Sequence, residues 1–233
     1  MTAAAGAAIV DLSLPIRTGM TVFPGDPEVV VEPALTIARD GVDVLRLHLG
    51  SQSGTHVDAP SHVLPDGPGL DELPLDRFLG PAVLADLRHL GPEAEIGWDD
   101  LEPVRGRLRP GVILVLHTGW SAYVEDPERY RAHPWLGAEA ARRIAQAGVR
   151  TVGIDALNVD ATPSDLSTIR FDAHRELLGV GAVIVENLTG LERLAHLADP
   201  ILSVLPLRIP GADGAPVRAV AIDRGFLAGT QRP

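Results

Sequence analysis

The chemistry-bearing residues of this chain crowd into one stretch, Gln52-Ser53-Gly54-Thr55-His56-Val57-Asp58-Ala59-Pro60-Ser61-His62. His56 and Asp58 are two positions apart. In extended backbone, alternate side chains face the same side, so this imidazole and carboxylate project together. Such a pair is a workable edge for a divalent cation such as zinc or manganese. Pro60 lacks an N–H and tends to end a strand, so the chain is expected to turn there and bring His62 back toward the same space. Gln52 shares the parity of His56, but four extended residues span roughly 13 Å. It joins the site only if the chain bends at Gly54, a residue type that marks bulges in strands. Spacing by itself leaves a metal or catalytic site and an ordinary cluster of polar residues both open, and it names no reaction.

Two distant residues are candidates to complete a shell. His174 sits just after Asp172 in a short helical stretch, and Glu186 closes the apolar run 182–185. The end of a buried strand is where α/β folds place polar chemistry, although each residue alone also reads as an exposed polar group. Among the other histidines, His48 reads as a packing residue, and His89, His133 and His196 read as surface residues. His117-Thr-Gly-Trp120 reads as a pocket-lining turn. Phe23, Phe78 and Trp120 are candidates for a pocket that accepts an aromatic substrate. Other catalytic frames are missing: the chain has no Gly-x-Ser-x-Gly elbow and no glycine-rich phosphate loop.

The elements that must position these groups are short. Residues 29–31, 44–49, 81–87, 112–116, 151–154, 182–185 and 217–222 are rich in β-branched or apolar side chains and predict strands. Residues 138–147, with Gly148 as a stop, and 172–178, with Asp172 as N-cap and Gly179 as a stop, predict helices. A helix leading through Gly148 into the strand 151–154 and on to Asp155 is α/β grammar. The first half is strand-rich and the second mixed, and no linker or repeat divides residues 1–233, so a single α/β domain with a mixed sheet is expected.

Composition narrows the partners. Of the 233 residues 45% are hydrophobic, enough for a sizeable core, and the formal charge of −11 argues against nucleic acid, which needs a basic footprint. With no cysteine, thiolate ligands, disulfides and a cysteine nucleophile are all excluded. The opening residues 1–9 lack the basic start of a signal peptide, and no apolar run approaches the ~20 residues that span a bilayer. A cytoplasmic protein acting on a small molecule, away from membranes, is the expectation.

The run Gly54-Thr-His-Val-Asp-Ala-Pro-Ser-His62 resembles the His-x-Gly-Thr-His-x-Asp-x-Pro-x-His motif of the cyclase family of metal-dependent hydrolases, which includes bacterial kynurenine formamidase and isatin hydrolase. Asp11-Leu-Ser13, residues 20–27, Thr118-Gly-Trp120, Gly153-Ile-Asp155, residues 174–178 and Glu186-Asn-Leu188 resemble further family segments, so the likeness runs along nearly the whole chain. It implies a swivelling β/β/α-type fold and a homodimer or larger oligomer, such as a tetramer. It implies His56, Asp58, His174 and Glu186 as metal ligands and His62 as the catalytic histidine. Where the family's formamidases begin the motif with His, this chain has Gln52. An amide oxygen is a weaker, harder ligand than imidazole, so one ion is a simpler expectation than two zincs. The activity implied is hydrolysis of an amide, lactam or related C–N bond. A metal-assisted cyclase or dehydratase and an inactive metal-binding protein are the alternatives from other classes.

Overall fold

Ile-Leu-Val-Leu at positions 113–116 shows no polar alternation, the pattern of a strand covered on both faces. The computed structural model, which describes residues 8–229, bears this out: Ile113 and Val115 enter one apolar cluster, Leu114 and Leu116 the other. Among the described residues the strands are β1 (Ile9–Asp11), β2 (Val30–Leu35), β3 (Val44–His48), β4 (His56–Asp58), β5 (Leu79–Asp86), β6 (Glu95–Ile96), β7 (Ile113–His117), β8 (Trp135–Leu136), β9 (Thr151–Ile154), β10 (Val183–Glu186), β11 (Pro200–Ser203), β12 (Gly214–Pro216) and β13 (Val220–Asp223). Nine of them form one sheet in the order β1-β13-β11-β5-β7-β9-β10-β4-β12. The central β5, β7, β9 and β10 are parallel, and the flanking strands pair antiparallel, so the expected mixed α/β sheet is present.

The sheet curls. β12 lies at one end of the strand order and β13 next to the other end, yet only residues 217–219 join them. So short a link reaches little more than ~13 Å at 3.3–3.6 Å per residue, so the two ends must approach each other. The bridge Ser13↔Leu188 and the bond from Leu12 N–H to Ala219 O tie the seam. Of the strand expected over 217–222, only residues 220–222 are strand, in β13, and 217–219 form the link. Pro216 has no N–H to continue the ladder, and Val217 N–H turns instead to Thr55 O at 2.9 Å.

The helix Ala138–Gln146 buries Ala140, Ala141, Ile144 and Ala145, and the helix Asp172–Leu178 buries Ala173, His174, Leu177 and Leu178. Both pack with the cluster that holds Leu114, Val152 and Ile184. The expected N-cap shifts by one residue: Phe171 occupies the cap position without a side-chain bond, and Asp172 is the first helical residue. The orphan N–H groups of Ala173 and His174 are instead satisfied from a distance by Asp160, at 2.7 and 3.1 Å.

β2 and β3 make a separate two-stranded hairpin. Its Leu45 and Leu47 are exposed, as is Ile37 between the strands. The packing role expected of His48 is therefore not realised. Its ring is exposed and contacts Glu32 across the hairpin at 3.3 Å. No helix among the described residues is long and apolar enough to cross a membrane.

Candidate metal centre

β4 carries the reactive stretch because its neighbours fix which side each residue faces. β10 and β12 flank it, and the register sets His56 opposite Glu186 and Asp58 opposite Ile184. Val57 points into the apolar cluster on one face of the sheet. His56 and Asp58 therefore point to the other face, as does Glu186, two residues beyond Ile184. Gly54, at φ +67°, bends the chain just before β4. After Asp58 the chain turns through the 3-10 segment Pro60–His62, and the His62 ring comes within 5.7 Å of the His174 ring.

Four of the expected ligands converge. Ligand atoms of His56, Asp58 and Glu186 lie within 4.8 Å of one another. His56 Nε2 is 3.3 Å from Asp58 Oδ1 and 3.5 Å from Glu186 Oε2. His174 Nε2 stands 3.7 Å from each of Asp58 and Glu186. All four residues are buried.

Each imidazole is held by its other nitrogen. His56 Nδ1 donates to Gly54 O at 2.8 Å, and His174 Nδ1 donates to Asp160 Oδ2 at 2.7 Å. In both rings this leaves the Nε2 lone pair facing the cluster, the arrangement found behind metal-bound histidines. Val159 N–H holds Glu186 Oε1 at 2.7 Å. Both oxygens of Asp58 are buried without a hydrogen-bond partner. A naked buried carboxylate is costly, and a cation held by these residues would remove that cost. The donor set of two imidazoles and two carboxylates suits zinc or manganese.

The electrostatics agree. Burial pulls both imidazole pKa values down, but carboxylates outweigh it: Asp58 and Glu186 hold His56 well above its ordinary value, and Asp160, Asp58 and Glu186 lift His174 to about 10. Burial raises Asp58, yet the neighbouring His56 and His174 hold it well below the usual carboxylate range. The cluster demands positive charge, as protons or as a metal ion.

The cluster opens on a cavity of about 130 Å³ whose lining includes Phe23, Asp26, Gln52, His62, Asn158 and Phe171. Gln52 thus reaches the pocket once the chain has bent at Gly54. Its amide nitrogen lies 2.9 Å from Asp213 Oδ2, and His62 Nδ1 lies 3.0 Å from the same oxygen. Burial raises the Asp213 carboxyl, but bonds from His62, Ser51 and Gln52 hold it below its ordinary value. Burial likewise pushes Asp26 up against the pull of His56 and His62.

Of the three aromatic candidates only Phe23 lines this cavity. Phe78 is fully buried in the apolar cluster beneath β4. Trp120 packs into the opposite cluster and donates its Nε1–H to Arg129 O at 2.9 Å. His117 is buried on β7 beside Asp155 and does not line this cavity. Phe171, which no local sequence signal marks, lines the cavity and meets the His174 ring edge-on at 5.5 Å. Asp160 and Asp213 carry no local signal either: each is a single acidic residue in a loop, and only its approach to a distant histidine distinguishes it.

A family model described as "Putative cyclase" matches residues 10–161. The chain belongs to the cyclase family. Kynurenine formamidase of Paracidovorax citrulli (strain AAC00-1) is similar to it at 33% identity over 217 residues, covering 90% of this chain and 94% of the relative. Kynurenine formamidase of Salinibacter ruber (strain DSM 13855 / M31) is 34% identical over 220 residues, covering 93% and 98%. The solved structure of an isatin hydrolase bound to the product analogue thioisatinate matches with a TM-score of 0.81, covering 92% of this chain and 91% of that one. At 21% identity this likeness speaks for the fold, which for this cyclase-family chain is the family's own.

Proposed function

We propose that this chain is a metal-dependent hydrolase that cleaves the C–N bond of a small aromatic amide or lactam. The observation that carries the reading is the partnerless carboxylate of Asp58, buried between two imidazoles whose Nδ1 atoms are already engaged. His56, Asp58, His174 and Glu186 would hold one zinc or manganese ion. That cation supplies Lewis acidity at a carbonyl and makes water more acidic. The kynurenine formamidases similar to this chain support the C–N bond class.

The chain's own residues do the rest. Phe23 and Phe171 flank the cavity and offer ring faces and edges to an aromatic substrate. His62, a quarter exposed at the rim, acts as general base and then general acid. It takes a proton from the attacking water as the new C–O bond forms. It returns that proton to the leaving nitrogen as the C–N bond breaks, giving a carboxylic acid and an amine. Support for a homo-oligomer comes from the hairpin, where Ile37, Leu45 and Leu47 present apolar surface to solvent.

The test is turnover of N-formylated anilines and isatin-like lactams by metal-loaded protein. Chelation should abolish activity, and zinc or manganese should restore it. His62→Ala should keep its metal and lose turnover. Fully loaded protein inert toward every such substrate would overturn the reaction class, and wild-type kcat in His62→Ala would overturn the base.

A further inference from the structure

The side chains around His62 do a second job. Asp213 sits on the turn leading into β12, and that turn is pinned to the motif by a bond from Ala59 N–H to Asp213 O at 2.7 Å. Its Oδ2 faces two nitrogens at once, His62 Nδ1 at 3.0 Å and Gln52 Nε2 at 2.9 Å. An ionised carboxylate can only accept, so Gln52 Nε2 donates to it. The same amide nitrogen also lies 3.1 Å from His62 Nδ1, but a charge-assisted bond from Nδ1–H to the carboxylate outweighs a neutral one accepted from the amide. The proton of a neutral His62 therefore resides on Nδ1, and the lone pair on Nε2. The same logic orients the amide: Gln52 Nε2 faces Asp213, and Gln52 Oε1 is buried with no hydrogen-bond partner. The amide rests against Gly214, where even a methyl group would come 2.5 Å from Gln52 Nε2.

We propose that Asp213 and Gln52 are positioning residues, Asp213 fixing the proton of His62 on Nδ1 and Gln52 bracing that carboxylate. The inference rests on the reading of His62 as the base. It assigns the position where this chain departs from the formamidase motif to the proton-transfer side of the pocket. A base whose lone pair sits on the wrong nitrogen cannot take the water proton. Asp213 therefore acts on turnover more than on substrate binding, and Gln52 acts more weakly because the His62–Asp213 bond can persist without it.

The experiment uses zinc-loaded protein. Asp213→Asn keeps the shape but lets an amide N–H face Nδ1, which favours the other tautomer. We expect kcat to fall by roughly 10²–10⁴, the scale seen when the acidic partner of a catalytic histidine is neutralised. KM should stay within a few-fold and zinc per chain should not change. Long-range ¹H–¹⁵N spectra of the imidazoles should show the His62 proton on Nδ1 in the wild type and a shift toward Nε2 in the variant. Wild-type kcat with an unmoved tautomer in Asp213→Asn would overturn the role of Asp213. Should that variant fail to fold, Gln52→Leu carries the test, with an expected several-fold loss in kcat at full zinc occupancy. Loss of zinc in Gln52→Leu would return Gln52 to the metal shell and overturn its assignment. The two readings fail separately: an active His62→Ala removes the base itself, whereas an inactive His62→Ala beside a fully active Asp213→Asn removes only the positioning.

Discussion

His174 and His133 are both buried, at 2% and 1% exposure, yet their surroundings drive them in opposite directions. His133 donates from Nδ1 to Pro134 O at 2.9 Å and accepts at Nε2 from the Thr162 hydroxyl at 3.0 Å. Both nitrogens are satisfied and no carboxylate touches the ring. Burial therefore dominates and lowers its pKa to about 4. His174 meets Asp160, Asp58 and Glu186, which overcome the same burial and lift it to about 10. Burial by itself makes a structural histidine. Burial among acids with one ring nitrogen left open makes a candidate cation site.

The largest effect should come from Asp58, the carboxylate shared by both imidazoles. Asp58→Asn keeps the volume and removes the charge. We expect it to retain no stoichiometric metal after dialysis and to lose turnover. Elemental analysis checks this, and one ion per chain in the variant would mean that the cluster is not the centre.

His133 gives the contrasting prediction. Below pH 6.5 the unfolded chain takes up a proton at this position that the folded chain refuses until about pH 4. The contribution is nil above pH 6.5, and stability is lost as pH falls through that window. The loss approaches about 3 kcal/mol, at 1.36 kcal/mol per pKa unit. Urea unfolding of wild type and His133→Gln between pH 7 and 4 should show the variant less stable at neutral pH but with a flatter acid slope. Equal slopes would break the comparison.

A smaller effect is expected at Asp160, which orients His174 without entering the cluster. Asp160→Asn should weaken metal affinity by roughly 10–100-fold, the usual scale for a partner behind a ligand. Competition with a chromogenic chelator measures it. An unchanged affinity would show that packing against Phe171 is enough to hold the ring.

Much of this was legible in the sequence. Alternation in His-Val-Asp set two candidate ligands on one face, Pro60 turned the chain, and Glu186 fell at the end of a buried strand, all local signals. The helix 172–178 was bounded as expected. What stayed hidden was long-range. Asp160 and Asp213 look like ordinary turn formers until the loop after β9 and the pairing of β12 with β4 bring them to His174 and His62. His133, flanked by Ala132 and Pro134, reads as a surface turn, although packing encloses it. Phe78 and Trp120 show that side-chain chemistry alone does not say which aromatic faces a core and which a cavity.

The pairing of β4 with β10 and β12 has a consequence for quality control. A slip of one residue would send His56 and Asp58 into the apolar cluster now occupied by Val57. A mispaired chain could still bury much of its hydrocarbon, but it could not hold a cation. Metal content per chain would then count the molecules folded in the right alignment, an assay of folding fidelity that needs no knowledge of the substrate.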